Sequence, residues 1–115
     1  MNVVVAAKNA THPYFGVGFP AGYVIDGVQG KELTLIRGVT YSFNVNAPSH
    51  PFVFTTSPVG GPANSGQVIT AGVTNSGATN GIVTFTPSAG TPNLVYYNCG
   101  NHNNMGWKVD RKSVV

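Results

Sequence analysis

From Val39 to Asn46 the chain alternates without a break. Tyr41, Phe43 and Val45 fall on one parity and Thr40, Ser42 and Asn44 on the other, the two-residue period of a half-buried β-strand. Shorter runs rich in β-branched and aromatic residues recur between clusters of Gly, Pro, Asn and Ser. They predict further strands over roughly 2–7, 22–26, 31–36, 51–56, 66–70, 80–86, 93–98 and 106–110. Residues 57–65 and most of 71–79 read as loops, and Arg37-Gly38 as the turn joining Leu33–Ile36 to the long alternating strand. Apolar residues nowhere recur at helical spacing, so no helix is expected. With neither an internal repeat nor a linker, the pattern predicts one all-β domain over residues 1–115, a sandwich of short strands.

Parity carries into the last third of the chain. Val95 and Tyr97 share a face with Cys99, and Met105 shares one with Trp107 and Val109, opposite Lys108 and Asp110. Charged side chains belong outside, so the Met105 face is expected to point inward. Cys99 and Met105 then face the interior from neighbouring strand ends, with a tight loop between them.

Composition narrows the function classes. Six Lys and Arg against three Asp and Glu give a net charge of +3, and no basic stripe is interleaved with aromatics, which argues against nucleic-acid binding. The basic residues are scattered except for Lys108, Arg111 and Lys112. That trio reads as a solvated terminus, with steering of an acidic partner as the alternative. No membrane span is expected, and Val3–Ala7 is too short, and lacks the basic start, for a signal-peptide core. Only 8% of residues are charged, so solubility rests on Asn, Thr and Ser, a surface common in exported β-proteins. The single cysteine excludes an internal disulfide and leaves a metal ligand, a nucleophile, a reactive surface thiol or a buried filler. Asp26, Asp110 and Glu32 form no Ser/His/Asp constellation, and no Gly-rich phosphate loop precedes a helix, so stand-alone catalysis is not expected.

The candidate chemistry lies in Tyr97-Asn98-Cys99-Gly100-Asn101-His102-Asn103-Asn104-Met105-Gly106, together with the upstream His50. One thiolate, two imidazoles and one thioether are the donor set of a blue-copper centre, two His and the Cys in a plane with a weak axial Met. Taken singly, Cys99 reads as a core filler, Met105 beside Trp107 as core and His102 as a polar loop residue. The combination is specific, because equal two-residue gaps separate Cys99, His102 and Met105 on one loop between an aromatic strand and a final strand. Four protein donors also leave no open position of the kind a catalytic metal needs. His12 reads as part of a structural loop with Tyr14 and Phe15 packed on the sandwich, a second metal site being the alternative. Tyr96 and Tyr97 read as packing residues, with electron relay as the alternative.

These residues resemble those of the cupredoxins, the small blue-copper β-sandwich family of plastocyanins, azurins, amicyanins and pseudoazurins. Leu33–Phe43 resembles the family's early hairpin, and His50 stands where its first copper histidine does. Gly81–Pro87 resembles the strand before the ligand loop, Leu94–Cys99 the Tyr-x-Tyr-x-Cys approach, and Met105–Val109 the exit into the last strand. The Cys-x-x-His-x-x-Met spacing is the short-loop version, as in amicyanins; residues 1–30 carry less of the resemblance. It implies a Greek-key sandwich or barrel of about eight strands holding one type 1 copper ion, with His50, Cys99 and His102 equatorial and Met105 axial. The implied function is electron transfer by copper(II)/copper(I) cycling. His102 would be the solvent-side ligand, with Gly100, Asn101, Asn103 and Asn104 around it as the docking face for transient redox partner proteins. A monomer is implied, placed in a periplasm, the extracellular space or a photosynthetic lumen.

Two positions depart from the family pattern. Pro51 stands where many members have an Asn whose backbone N–H bonds the Cys sulfur, and Pro has no N–H. The sulfur then loses a hydrogen bond, which implies a lower potential. Asn103 stands where amicyanins carry Pro, which makes the docking patch more polar. Two further functions fit the residues beside that of a carrier. One is a copper-holding module, for sequestration or delivery or as part of a larger redox protein. The other is a structural β-sandwich with a vestigial site, against which the complete donor set counts.

Overall fold

The computed structural model of the chain describes residues 1–112; the end of the expected domain, 113–115, lies outside the described residues. The strands are β1 (Asn2–Ala7), β2 (Ala21–Ile25), β3 (Val28–Gln29), β4 (Leu33–Ile36), β5 (Tyr41–Asn46), β6 (Phe52–Thr55), β7 (Val68–Ile69), β8 (Val73–Thr74), β9 (Asn80–Phe85), β10 (Leu94–Cys99) and β11 (Lys108–Lys112). Setting aside β3, β7 and β8, which are two residues each, eight strands remain. They form a six-stranded sheet in the order β3-β2-β1-β5-β9-β8 and a five-stranded sheet in the order β4-β11-β10-β6-β7. Each sheet holds one parallel pair, β1 with β5 and β4 with β11, and neither closes into a barrel.

The alternating segment sits in the middle of the first sheet, paired with β1 on one side and β9 on the other. Its Phe43 and Val45 are fully buried, as its parity requires. Facing them from the second sheet are Phe52 and Phe54, with ring centroids 5.5 Å and 5.4 Å from Phe43; Phe54 also stacks on Phe85 at 4.5 Å. The core is therefore aromatic and spans both sheets, which is where most of the stabilisation of a sandwich resides. All four residues of β6 are buried, so period-two alternation is lost there.

The sequence reading needs three corrections. Arg37-Gly38 does not close a hairpin: β4 pairs with β11 in one sheet and β5 with β1 and β9 in the other, so the turn carries the chain between sheets. Gly38 takes φ +87° there and donates its N–H to Pro87 O at 2.6 Å. A glycine turn looks the same in sequence whether it folds a strand back or passes it to the other layer. The strand expected over 66–70 is shortened to Val68–Ile69, because its first two residues belong to a 3-10 turn, Pro62–Gln67, whose first position Pro62 presets. The last strand starts at Lys108, since Met105-Gly106-Trp107 is used in close packing against β10.

Candidate metal centre

Cys99 is the last residue of β10 and is fully buried. His50 lies two residues before β6, and β6 pairs with β10 so that Phe52 is opposite Cys99. The pairing thus fixes His50 beside the sulfur. From Cys99 the chain turns at Gly100 and Asn101 and returns with His102; both histidines are half-buried. The Sγ of Cys99 is 3.7 Å from His50 Nδ1 and 3.8 Å from His102 Nδ1, and one donor atom from each of the three residues lies within 4.8 Å of the others. A metal with a thiolate at about 2.3 Å and an imidazole at about 2.05 Å, the bonds about 120° apart, separates those donors by about 3.8 Å. The donor set and its spacing therefore fit a trigonal ion. Met105 is fully buried in the same core cluster as Cys99.

Four segments hold the ligand loop. Gly100 N donates to Pro51 O at 3.0 Å and Asn101 Nδ2 to Ser49 O at 3.3 Å, which ties it to the His50 loop. Asn104 N donates to Val59 O and Gly61 N to Cys99 O, which ties it to the 57–61 loop. That loop is anchored in turn by the buried Asn98, whose Nδ2 donates to Thr55 Oγ1 and Ser57 O, each at 2.9 Å. Phe19 N donates to Asn103 O at 3.0 Å, and Tyr23 N to Met105 O at 2.8 Å. The Tyr23 hydroxyl lies 2.9 Å from His50 O and 3.1 Å from Pro51 O and shares its proton between them. Burial, and secondarily the neighbouring Cys99, pushes this phenol well above its ordinary pKa, so it stays a donor. Ser49 and Asn104 sit at φ +69° and +62°, each one residue before a proposed ligand. Left-handed backbone at a serine is uncommon and persists only where the surroundings enforce it.

The Cys99 sulfur has a backbone donor: Asn101 N–H reaches Sγ at 3.3 Å. Burial, followed by the proximity of His102, lowers the pKa of His50 and favours the neutral imidazole, the form a metal would require.

The geometry keeps some of the expected roles and changes others. Asn104 is buried and cannot belong to an exposed docking face, whereas Asn101 and Asn103 are exposed. His12 is a buried structural residue: Nδ1 accepts from Tyr14 N at 3.0 Å and Nε2 lies 3.1 Å from Met105 O, so both ring nitrogens are engaged. Tyr14 packs edge-on against Trp107 as expected, but Phe15 projects outward, 56% exposed. Tyr97 is a core residue whose hydroxyl donates to Lys31 O at 2.7 Å. Arg111 is buried and Lys108 pairs with Glu32 at 3.4 Å, so neither forms part of a free basic cluster.

Sequence reasoning missed Phe19. The loop between β1 and β2 folds over the same end of the sandwich and lays the Phe19 ring on His102, centroids 3.9 Å apart and planes tilted by 34°. Gly18, Phe19, Pro20, Pro62, Asn101 and Asn103 line a shallow recess that opens on His102. The one signal available was an aromatic set among glycines and prolines in Gly16-Val17-Gly18-Phe19-Pro20.

The family model of the At5g54830-like domain matches residues 1–113. The chain belongs to this family. The chain is also similar to the protein Skeletor of Drosophila melanogaster. The match to isoforms B/C is 26% identical over 150 aligned residues, covering 81% of this chain and 19% of that protein. The match to isoforms D/E is 26% identical and covers 81% of this chain and 10% of that protein. The domain thus spans a fifth or less of the length of these relatives. No solved structure matches it.

Proposed function

We propose that this At5g54830-like domain is a type 1 copper electron-transfer unit of the cupredoxin kind. The observation that carries the proposal is the placement of Cys99 Sγ at almost equal distances, 3.7 Å and 3.8 Å, from the two histidine Nδ1 atoms. The family and its relatives are named for neither a metal nor an activity, so the reading rests on the donor set.

His50, Cys99 and His102 would hold the ion in plane, with Met105 as the weak fourth donor. Bound copper would supply one-electron chemistry. The chain's own contribution is rigidity. The His50 and Cys99 ends are tied by β6–β10 pairing and by the Asn101–Ser49 and Tyr23 hydrogen bonds, so the donors keep their spacing when the charge of the site changes. The Asn101 N–H stabilises negative charge on the sulfur. The half-exposed His102, at the mouth of the recess, is the ligand nearest a docked redox protein.

A second reading concerns setting. Both Skeletor matches cover a fifth or less of a longer protein, which leaves room for a module that holds copper for other parts of a larger assembly. Stopped-flow exchange with a small redox reagent separates the two, fast reversible cycling marking the electron-transfer unit.

The deciding experiment adds one equivalent of copper(II) to reduced metal-free protein and records visible and EPR spectra. The expected result is an intense blue or green colour with narrow copper hyperfine splitting, lost in Cys99→Ser. A colourless or pale product would refute the proposal and bring forward the structural sandwich with a vestigial site.

A further inference from the structure

We propose that Phe19 is a positioning residue that clamps His102 in its ligating orientation, making the loop between β1 and β2 a working part of the metal centre. The inference rests on the metal-binding reading above and deepens it. A metal-ligating histidine normally donates its second ring nitrogen to a carboxylate or carbonyl, which fixes the ring. His102 lacks that support: among the described residues its only partner at hydrogen-bonding distance is Cys99 Sγ. Imidazole χ2 is a broad torsion, so such a ring on a half-exposed loop turns freely unless something packs on it. What packs on it is Phe19, its ring centroid 3.9 Å away and its plane tilted by 34°, with His50 also within 5.5 Å of the same aromatic ring.

The clamp is itself held. Phe19 N donates to Asn103 O, so the aromatic residue is fastened to the residue beside the histidine it covers. Lys8 Nζ donates to Tyr14 O at 3.1 Å and Val17 O at 2.7 Å, and Lys8 N to Pro20 O at 2.9 Å, which draws the loop closed across its base. Gly18 lets the loop approach: a Cβ there would stand 2.7 Å from Asn104 Cβ and 2.8 Å from Asn103 O, at φ +67°. Burial of the Lys8 ammonium lowers its pKa, in keeping with its use as an internal brace.

The test compares wild type with Phe19→Ala, Phe19→Leu and Phe19→Tyr. Leu keeps apolar cover if the Ala variant fails to fold, and Tyr keeps the ring. In metal-free protein, NMR of the His102 ring protons should show an upfield ring-current displacement in wild type and Phe19→Tyr and lose it in Phe19→Leu and Phe19→Ala. In copper(I)-loaded protein, metal release to a chelator should run roughly three- to tenfold faster in the Leu and Ala variants and near the wild-type rate in Phe19→Tyr, the range an aromatic pair contributes. Unchanged His102 resonances and unchanged release in a folded Phe19→Leu variant would overturn the clamp. Failure of wild type to take up copper(I) would overturn the proposed function instead, and the clamp would stand or fall on the NMR comparison alone.

Discussion

Gly106→Ala is expected to be among the most damaging single-methyl changes in the chain. Gly106 is buried between Met105 and Trp107, against β10. A Cβ there would overlap the Tyr97 carbonyl oxygen outright and stand 2.6 Å from the carbonyl carbon and 2.9 Å from Tyr97 Cδ2, where real Cβ atoms keep at least 3.0 Å. The obstacle is backbone in the middle of a core strand, so no side chain can swing away. Residues 105–107 must retreat, and three bonds are attached to them: Tyr97 N to Trp107 O at 3.1 Å, Tyr23 N to Met105 O at 2.8 Å, and His12 Nε2 with Met105 O at 3.1 Å. Overpacking costs about 1–3 kcal/mol and each weakened hydrogen bond about 1 kcal/mol, which totals roughly 4–6 kcal/mol. At about 4–5 °C per kcal/mol for a domain slightly above about 100 residues, the apo protein should melt roughly 15–30 °C lower. The control is Gly100→Ala in the same loop, where the nearest heavy atom to a new Cβ is Pro51 Cβ at 3.7 Å. That change should stay within about 0.5 kcal/mol. Thermal and urea unfolding of the metal-free variants measure both. If Gly106→Ala unfolds within about 1 kcal/mol of wild type, the close approach of residues 105–107 to β10 is wrong, and the placement of Met105 falls with it.

Two further outcomes follow from the site's surroundings. His12 is held neutral, its pKa lowered chiefly by burial and also by Lys8, against an opposing effect of the Met105 carbonyl. The unfolded chain therefore takes up a proton near pH 6.5 that the folded chain resists. Apo-protein stability should fall below that pH with a His12 share of at most about 1.4 kcal/mol per unit, and His12→Gln should flatten the curve between pH 7 and 5.5; parallel curves for the two proteins would contradict the buried neutral assignment. Pro51→Asn restores an N–H after the first histidine and should raise the copper potential by on the order of 60 mV if the new bond favours the reduced site by about 1.4 kcal/mol, whereas an unchanged or lower potential would sink the argument.

The all-β sandwich was legible because Phe43 and Val45, Val95 and Tyr97, and Val109 all announce the buried face of a strand by parity alone. Which strand lies beside which was not. Leu33–Ile36 and Tyr41–Asn46 are neighbours in sequence, joined only by residues 37–40 with their glycine turn, yet they belong to different sheets. What decides between hairpin and crossover is the partner each strand finds. Here β4 runs parallel to β11, placing Leu33 beside Val109, a pairing between residues far apart in the sequence. Local pattern carries no information about that choice. The two-residue strands β3 and β8 were hidden for a related reason, since each exists only as an edge laid on a longer neighbour.

The donors of the candidate site were legible because Cys, His and Met carry their chemistry in their identity. Their support was not, because it consists of backbone groups and a ring drawn from elsewhere. Pro51 is the instructive case. In sequence it marks a missing N–H beside the thiolate, yet the folded loop supplies one from Asn101 at 3.3 Å, two residues after the cysteine itself. That donor exists only because the loop turns tightly between Cys99 and His102, and the same turn lets Asn101 Nδ2 reach Ser49 O and lock the two ligand loops together. Loop length therefore sets the donor spacing and the hydrogen bonding of the sulfur at once. The same tightness brings Asn103 to where Phe19 N can bond its carbonyl, so the loop between β1 and β2, in the part of the sequence that least resembles a copper protein, settles over His102.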